Sequence, residues 1–175
     1  LHWTEHTDDP GFTNRTDFEV IAFKDALWVI GGLSEGFATN DIWKSTDGET
    51  WEEVTSNAAF SARYGHSLIQ FNDKLWLIGG FDNVYYNDVW SSDDGEHWEQ
   101  VNVQAPFAPR SEHSLFVFNE KIWVTAGFND DYLNDIWSSS DGIEWTQESN
   151  AAAFAARNKS TIRFHDDALW LIGGS

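Results

Sequence analysis

Short apolar runs separated by glycines and polar turns give this chain its pattern. Four runs end at a glycine pair or its equivalent, and their Leu, Trp, Val and Ile content favours buried strands over helices; they span residues 26–32, 74–80, 121–127 and 168–174. A second apolar run precedes each of them, at residues 18–23, 66–71, 113–118 and 160–164. Polar turns between the paired runs predict β-hairpins; three of these turns are Asn72-Asp73, Asn119-Glu120 and Asp166-Asp167.

A polar motif with two tryptophans follows each of the first three hairpins. It reads NDIWKSTDGETW at residues 40–51, NDVWSSDDGEHW at 87–98 and NDIWSSSDGIEW at 134–145. The first Trp is placed on a third strand, and the second Trp begins a fourth. The SxDG segment between them predicts a tight turn in which Ser and Asp side chains bond nearby backbone amides. Each unit is therefore predicted to contain four antiparallel strands, a to d.

The motif recurs with a nearly constant period. Trp43, Trp90 and Trp137 are 47 residues apart at each step, and the glycine pairs recur after 48, 47 and 47 residues. One extra residue before Trp43 accounts for the longer step, and the 48 residues from Trp3 to Trp51 include it. Trp3 is thus predicted on strand d of a preceding unit. Four-stranded units of this length, with glycines after the second strand, are typical of propeller blades.

The repeat resembles the kelch repeat, in a bacterial style with NDxWxSxDGxxW. The glycine pairs carry the resemblance, together with Tyr85 and Tyr132 five residues after them and Trp90 and Trp137 ten residues after them. It implies an all-β fold: a β-propeller arc of four-stranded antiparallel blades in a single region, residues 1–175. The expected blades are residues 18–55, 66–102 and 113–149, with a partial blade from an N-terminal d strand at 1–8 and a C-terminal a–b hairpin at 160–175. Kelch propellers include binding modules and enzymes, so the activity stays open.

The SxDG turn also resembles the sialidase Asp box, SxDxGxxW. One copy matches it in full, through Ser91, Asp93, Gly95 and Trp98. Thr46 and Ser140 replace the Asp in the other two copies. The resemblance implies a structural turn that is remote from any catalytic centre.

The predicted strands do not complete a ring. One N-terminal strand, twelve strands in three full units and two C-terminal strands make fifteen, whereas a four-bladed ring needs sixteen. An open arc would expose edge strands and part of an aromatic core. We therefore expect a segment of a longer propeller of about six to eight blades. Self-association of two arcs and a strained four-bladed closure are the alternatives.

Charge and composition narrow the classes of partner. The chain has 29 Asp and Glu against 10 Lys and Arg, a net charge of -19, which repels nucleic-acid phosphates. This acidic coat suits an exported protein, so an extracellular or cell-surface location is expected. No apolar run approaches the roughly 20 residues of a membrane span, and membrane insertion is not expected. The absence of Cys excludes disulfides and thiolate metal sites.

The loops on one face carry the candidate binding residues. The b-to-c and d-to-a loops share this face, called face one, while the a-to-b and c-to-d loops share face two. An arginine recurs in every d-to-a loop at steps of 48, 47 and 47 residues, and aromatic side chains lie on the same face. The predicted ligand-binding residues are Arg15, Arg63, Arg110, Arg157, Tyr64, Tyr85, Tyr86 and Tyr132.

Two roles are open for the arginines. As a group they can bind a carboxylate or phosphate, while the aromatic residues stack on sugars or apolar side chains. Alternatively, each Arg pairs with a repeated Asp of strand c and ties blades together; these residues are Asp41, Asp88 and Asp135. His66 and His113 are expected to be hydrogen-bonded structural residues. No catalytic residue, metal or cofactor is predicted.

The sequence thus indicates a kelch-like binding or structural module that recognises a protein or a glycan on face one. The alternative is part of a propeller enzyme acting on acidic sugars, sialidase-like or epimerase-like, whose site would include blades beyond this sequence. Self-association or further blades would complete the ring.

Overall fold

The computed structural model describes residue 2 and residues 5–175. These residues form strands and turns, with no helix among them. The first blade is a sheet in which β1 and β2 both pair with β3, which continues to β4 and β5. Its strands are β1 (Arg15–Thr16), β2 (Glu19–Phe23), β3 (Ala26–Ser34), β4 (Phe37–Ser45) and β5 (Glu52–Thr55).

The second and third blades are four-stranded antiparallel sheets, and a two-stranded hairpin follows them. The second blade contains β6 (Ser67–Phe71), β7 (Lys74–Ile78), β10 (Val89–Ser92) and β11 (Glu99–Asn102), with the small hairpin β8 (Phe81–Asp82) and β9 (Val84–Tyr85) between β7 and β10. The third blade contains β12 (Ser114–Phe118), β13 (Lys121–Thr125), β14 (Ile136–Ser139) and β15 (Thr146–Ser149). The final hairpin is β16 (Thr161–His165) and β17 (Ala168–Ile172).

This architecture confirms the predicted all-β fold of four-stranded blades. The C-terminal a–b hairpin is present as β16 and β17. The N-terminal d strand was predicted around Trp3, which lies outside the described residues, and residues 5–10 form no strand. The a-to-b turns have the expected chemistry: Asn72 and Asp73 both have positive φ, 51° and 59°, as two-residue hairpin turns require.

The SxDG turns are held by their own Ser and Asp side chains, as predicted. In the second blade, Ser92 Oγ accepts hydrogen bonds from the Asp94 and Gly95 amides, at 3.3 and 2.8 Å. Asp94 Oδ1 accepts from the amides of Glu96 and His97, both at 2.8 Å. The acidic residue of the turn therefore directly precedes the glycine. Asp93, which matched the Asp box, instead lies 3.2 Å from the Lys74 ammonium.

The hydrophobic cores lie between blades. One cluster joins the first and second blades, and includes Trp28 and Ile42 of the first and Leu75 and Trp98 of the second. A second cluster joins the second and third blades in the same way, through Trp76 and Ile78 against Ile122 and others. Each blade therefore buries its apolar faces only against its neighbours, which is why the repeats depend on one another.

A phenylalanine from each of two d-to-a loops packs into the following blade. Phe60, which follows the first blade, is 1% exposed and packs edge-on against Trp90 and Trp98 of the second blade, with centroids 6.2 and 5.5 Å away. Phe107 packs against Trp137 and Trp145 of the third blade, at 6.2 and 5.1 Å. The two tryptophans of the second and third polar motifs thus form the site into which the phenylalanine of the preceding loop packs.

Three residues after Phe60 and after Phe107, an arginine ties two blades together. The backbone of Arg110 is fixed to the second blade, since its N–H donates to Tyr86 O and its carbonyl accepts from Gly80 N, both at 2.9 Å. Its side chain reaches the third blade, where Nη1 and Nη2 donate to Oδ1 and Oδ2 of Asp135 at 2.7 Å each. Arg63 makes the same bidentate bond to Asp88, and Arg15 bonds Asp41 within the first blade's region.

We predict that the glycine of the third SxDG turn is required for packing as well as for backbone conformation. A Cβ at Gly142 would overlap the indole of Trp76, whereas at Gly48 the nearest atom is Leu27 Cδ1 at 3.8 Å. Both glycines have positive φ, 77° and 79°, so both alanine variants carry the same backbone cost of about 1–2 kcal/mol. Gly142→Ala should lose a further ~1–3 kcal/mol through overpacking. Urea denaturation measures the free energy of unfolding of the Gly142→Ala and Gly48→Ala variants. Equal losses in the two variants would contradict the close contact between residue 142 and the Trp76 indole.

We also predict that Arg110→Met lowers the free energy of unfolding by about 3 kcal/mol at pH 7, because it leaves the carboxylate of Asp135, whose side chain is 15% exposed, without its partner. Arg157→Met is the matched control: its Nε and Nη1 donate to Ala155 O and Gly173 O, as Arg110 does to Ala108 O and Ala126 O, but no carboxylate partner lies among the described residues. Arg157→Met should therefore lower the free energy of unfolding by clearly less than Arg110→Met does.

The pH dependence gives a second readout of the Arg110–Asp135 pair. Burial opposes ionisation of Asp135, but the hydrogen bonds and charge of Arg110 outweigh burial and lower the pKa of this carboxyl below its usual range. The pair therefore stabilises the fold at pH values above the ordinary pKa of an Asp carboxyl. This contribution is lost as the pH falls through the lowered pKa of Asp135. The difference in the free energy of unfolding between wild type and Arg110→Met should become smaller as the pH falls into the acid range. A difference that does not change with pH would contradict the pairing.

Candidate functional site

Backbone pairing on face one brings the b-to-c and d-to-a loops together. Tyr64 of a d-to-a loop and Phe81 of the next b-to-c connection exchange backbone hydrogen bonds of 3.1 and 2.9 Å. Ser111 and Phe128 repeat this exchange one blade later, at 3.0 and 2.9 Å. The b-to-c loop of each blade is therefore fixed beside the loop that enters that blade, as the strand directions predict.

The aromatic residues of these loops form a continuous row across two blades. Tyr64 packs edge-on to Phe81 with centroids 5.5 Å apart, and Phe81 lies 4.6 Å from Tyr85. Tyr85 lies 6.1 Å from Phe128, which crosses to the third blade, and Phe128 lies 5.2 Å from Tyr132. All five side chains keep part of their surface exposed. The row is thus a contact surface that spans an inter-blade seam.

A cleft of about 270 Å³ opens beside this row, and we call it the face-one cleft. Its wall combines the five aromatic residues with three polar residues of the neighbouring d-to-a loops. The lining residues are Tyr64, Phe81, Tyr85, Ser111, Glu112, Phe128, Tyr132 and Asn158. The wall of the cleft therefore combines aromatic faces with hydrogen-bonding groups.

Glu112 belongs to an inner row with one residue from each repeat: Asp17, Gly65, Glu112 and Lys159. All four have positive φ, between 51° and 61°. Their backbones are linked in sequence, since the N–H groups of residues 65, 112 and 159 donate to the carbonyls of residues 17, 65 and 112 at 2.7–2.9 Å. The same backbone position thus presents a different side chain in each repeat.

Carboxylates dominate the charge around the face-one cleft. Lys159 Nζ lies 3.0 Å from Glu112 Oε1 and 3.7 Å from Asp17 Oδ1, so two carboxylates share one ammonium. Asn158 also donates a hydrogen bond to Glu112 Oε2. Burial raises the pKa of Tyr64, and the charges of Asp17, Asp82 and Glu112 raise it further.

Tyr85 responds to the same surroundings. Burial raises the pKa of the Tyr85 hydroxyl, and the carboxylate of Asp130 adds to the effect. Tyr64 and Tyr85 therefore keep their hydroxyl protons at neutral pH and offer them as hydrogen-bond donors. The surroundings disfavour a negative charge at this position.

The structure separates the predicted arginines from the predicted aromatic residues. Tyr64, Tyr85 and Tyr132 line the face-one cleft, but Tyr86 lies beneath the Arg63 guanidinium, 4.2 Å from ring centroid to Cζ. Arg63 and Arg110 are 0% exposed and their guanidinium groups are bonded to Asp and carbonyl oxygens. This geometry supports the inter-blade role weighed above, and ligand binding by the arginines stays a prediction.

Three residues of the cleft, Ser111, Glu112 and Asn158, were not predicted. Ser111 and Asn158 occupy the position of Tyr64 in the following repeats, and Glu112 occupies the position of Gly65. The signal that would have found them is departure from the repeat: a position that changes residue between blades is not needed for the shared architecture. Reasoning from recurrence alone overlooks such positions.

A second cavity of about 270 Å³ lies among the inner a strands, lined in part by Glu19, His113 and Arg163. Burial raises the pKa of Glu19 to about 7. His66 and His113 are buried, and burial followed by the charge of the adjacent arginine lowers the pKa of each to about 3. Their ring nitrogens make no protein hydrogen bond of ordinary geometry, although an interaction with the Ile30 backbone opposes the lowering of the His66 pKa, and the expected hydrogen-bonded role stays a prediction.

The described residues contain neither a metal-binding cluster nor a membrane-spanning helix. Across residue 2 and residues 5–175, no group of three or more His, Cys, Asp or Glu side chains is arranged to hold a metal ion. Within that same part, no helix is long and apolar enough to cross a membrane.

Comparison with known proteins agrees with this architecture. Among solved structures, that of YjhT is similar to this chain, with a TM-score of 0.77 and 17% sequence identity. The match covers 91% of this chain and 59% of that chain, so this chain spans less than two thirds of its neighbour's length. At this identity the likeness shows the fold alone. No curated protein matches the chain.

The family comparison covers nearly the whole sequence. Residues 1–174 match the family model described as the KLHDC2/KLHL20/DRC7 Kelch-repeats domain. The match agrees with the glycine pairs and tryptophans that carry the repeat and with the four-stranded blades that they form. The chain therefore belongs to the Kelch-repeat family, whose propeller domains generally mediate protein–protein interactions.

Proposed function

We propose that this chain binds a protein partner through face one, with the face-one cleft and its aromatic row as the contact. The observation that carries the proposal is the continuous row of five partly exposed aromatic side chains from Tyr64 to Tyr132. Tyrosines and phenylalanines held by a rigid scaffold provide large contact area at low entropic cost, which is why aromatic residues are enriched at protein interfaces.

Rigidity supports this proposal. The loops that carry the row are fixed by the backbone exchanges of Tyr64 with Phe81 and of Ser111 with Phe128. A surface whose side chains are already positioned loses less conformational entropy on binding than a mobile loop does. Membership of the Kelch-repeat family supports the same class of partner.

A glycan is the second candidate, because aromatic rings also stack on sugar faces. An acidic sugar would need accessible cations, but the guanidinium groups of Arg63 and Arg110 are buried and paired with Asp88 and Asp135, and the exposed ammonium of Lys159 already lies between Glu112 and Asp17. The same pairing disfavours the enzyme alternative, which would use arginines to hold a substrate carboxylate. A protein partner requires none of these groups.

We further propose that the final hairpin is completed by a c strand with the Asn-Asp-x-Trp pattern, from further blades of a longer propeller. Arg157 makes the carbonyl bonds of its counterparts, and the carboxylate position next to it is open among the described residues. Trp170 is 52% exposed, whereas its counterpart Trp76 is 4% exposed. A strand beside β17 would cover this surface and supply the Asp.

The first experiment is a selection of short random peptides displayed on phage against the folded protein. We expect enriched peptides whose binding is lost with Tyr85→Ala, because that variant opens the centre of the aromatic row. Phe37→Ala is the matched control: Phe37 holds the same position after the glycine pair of the first blade, is 76% exposed and lies outside the cleft. The Phe37→Ala variant should bind the enriched peptides as tightly as the wild-type protein does.

Two results would contradict the proposal for face one. Enriched peptides that bind both variants equally would place the contact elsewhere on the protein. Binding of sialylated or neutral glycans from an array that is lost with Tyr85→Ala, without any cleft-dependent peptide, would favour the glycan candidate.

The second experiment adds a synthetic peptide of residues 134–149, the c and d strands of the third blade, to the protein. We expect the melting temperature to rise with peptide concentration, because the peptide binds only the folded state. The same peptide with Asp135→Asn should stabilise much less, since it lacks the carboxylate for Arg157. Equal stabilisation by both peptides, or a native mass of two chains with no effect of peptide, would contradict completion by an added c strand.

A further inference from the structure

Resting on the proposed function, we infer that the face-one cleft receives a basic side chain, Arg or Lys, from the protein partner. The sequence had suggested an anionic ligand held by the arginines. The structure places those arginines away from the cleft and assembles aromatic faces and a carboxylate there instead. The chemistry of the wall, its charge and its size each point to a cationic group.

The aromatic wall is suited to a cation. The negative faces of Tyr and Phe rings attract an ammonium or guanidinium group within about 6 Å of the centroid. Phe81, Tyr85 and Phe128 lie next to one another at 4.6 and 6.1 Å and are mutually tilted, so they present more than one orientation to the cleft. A planar guanidinium can stack on one such face while its N–H groups bond elsewhere.

The polar side of the cleft supplies the acceptor. Glu112 is the charged residue among the described lining residues, and its Oε1 already holds an ammonium group, that of Lys159 at 3.0 Å. Lys159 is also shared with Asp17, at 3.7 Å, and its side chain is 56% exposed. An incoming cation can therefore take over one of the two carboxylates while Lys159 keeps the other.

The wider charge acts in the same direction. Asp82 and Asp130 lie in the b-to-c loops beside the row and, with Asp17 and Glu112, place four carboxylates near the ammonium of Lys159, while the Arg157 guanidinium bonds the carbonyls of Ala155 and Gly173. The protein as a whole has a net charge of -19. Such a field attracts a basic segment and repels an acidic one during the encounter.

The size of the cleft indicates one side chain. Its volume of about 270 Å³ is below the range of about 300–1,000 Å³ that is usual for pockets holding drug-sized ligands. A single Arg or Lys side chain can be accommodated together with the water that remains around its head group. The partner's main chain would then pass over the row, and the basic side chain would act as its anchor.

The test titrates the isotope-labelled protein with three capped tripeptides, Gly-Arg-Gly, Gly-Gln-Gly and Gly-Glu-Gly, and follows its amide and aromatic NMR signals. We expect the Arg peptide to shift signals of Tyr85, Glu112 and Phe128 saturably, and to bind about three- to tenfold more tightly than the Gln peptide. Added salt should weaken the Arg peptide and leave the Gln peptide unchanged.

Variants identify the groups that are responsible. Glu112→Gln keeps an acceptor for Asn158 and should bring the affinity for the Arg peptide close to that for the Gln peptide. Tyr85→Leu keeps an apolar side chain but removes the aromatic face, and should weaken the Arg peptide severalfold. Phe37→Ala should bind as wild type does, and thermal unfolding of every variant shows whether it is folded.

Three results would overturn the inference: equal affinity for all peptides, preference for the Glu peptide, or no shift at the cleft with any of them. The phage selection separates this failure from failure of the proposed function. Cleft-dependent peptides without Arg or Lys would leave protein binding on face one intact and reject the basic anchor. An absence of cleft-dependent peptides would reject both.

Discussion

The arginine that enters each blade holds the assembly together, because its backbone belongs to one blade and its charge to the next. In the second and third blades, a guanidinium with no exposed surface meets an Asp in a bidentate pair, while its carbonyl and N–H are bonded to the preceding sheet. Burying two charges is costly, and that cost is offset only when the geometry satisfies most of their hydrogen bonds. Blade spacing is therefore constrained: a small shift of one sheet against its neighbour would break several bonds at once.

The phenylalanine three residues earlier adds an apolar counterpart to this tie. Phe60 and Phe107 each insert between two tryptophans of the next blade, close to the point where the arginine crosses. A single short loop thus supplies both the phenylalanine and the arginine that contact the following blade. The polar motif of that blade supplies the two tryptophans that contact the phenylalanine and the Asp that binds the arginine. The most repeated residues of the chain, which first suggest a ligand site, are occupied with one another. The surface that is free for a partner is built from what varies around them.

This division explains how far the sequence could be read. The four main strands of each blade, the turn chemistry, the b-to-c and d-to-a loops on one face, and the Arg–Asp alternative follow from recurrence, since recurrence reports what every blade needs. The short strands β1, β8 and β9 do not recur in every repeat and were not predicted. Tyr64, Tyr85 and Tyr132 line one cleft because the repeat fixes the loops that carry them, and their role in binding stays a prediction. Tyr86 was grouped with them although it packs beneath Arg63, because adjacent residues of a loop can face opposite ways. Glu112 and Asn158 gave no periodic signal, and their approach to the cleft depends on contacts between repeats that spacing alone does not reveal.

The inner row of positive-φ residues has a consequence for how such a surface can change. Because the backbone bonds that link residues 17, 65, 112 and 159 do not involve their side chains, the path of the chain there is independent of what each position displays. Asp, Gly, Glu and Lys already occupy these equivalent places. The same backbone path therefore carries a negative, a neutral or a positive residue at equivalent places, so the charge of face one differs from repeat to repeat while the backbone pairing stays the same.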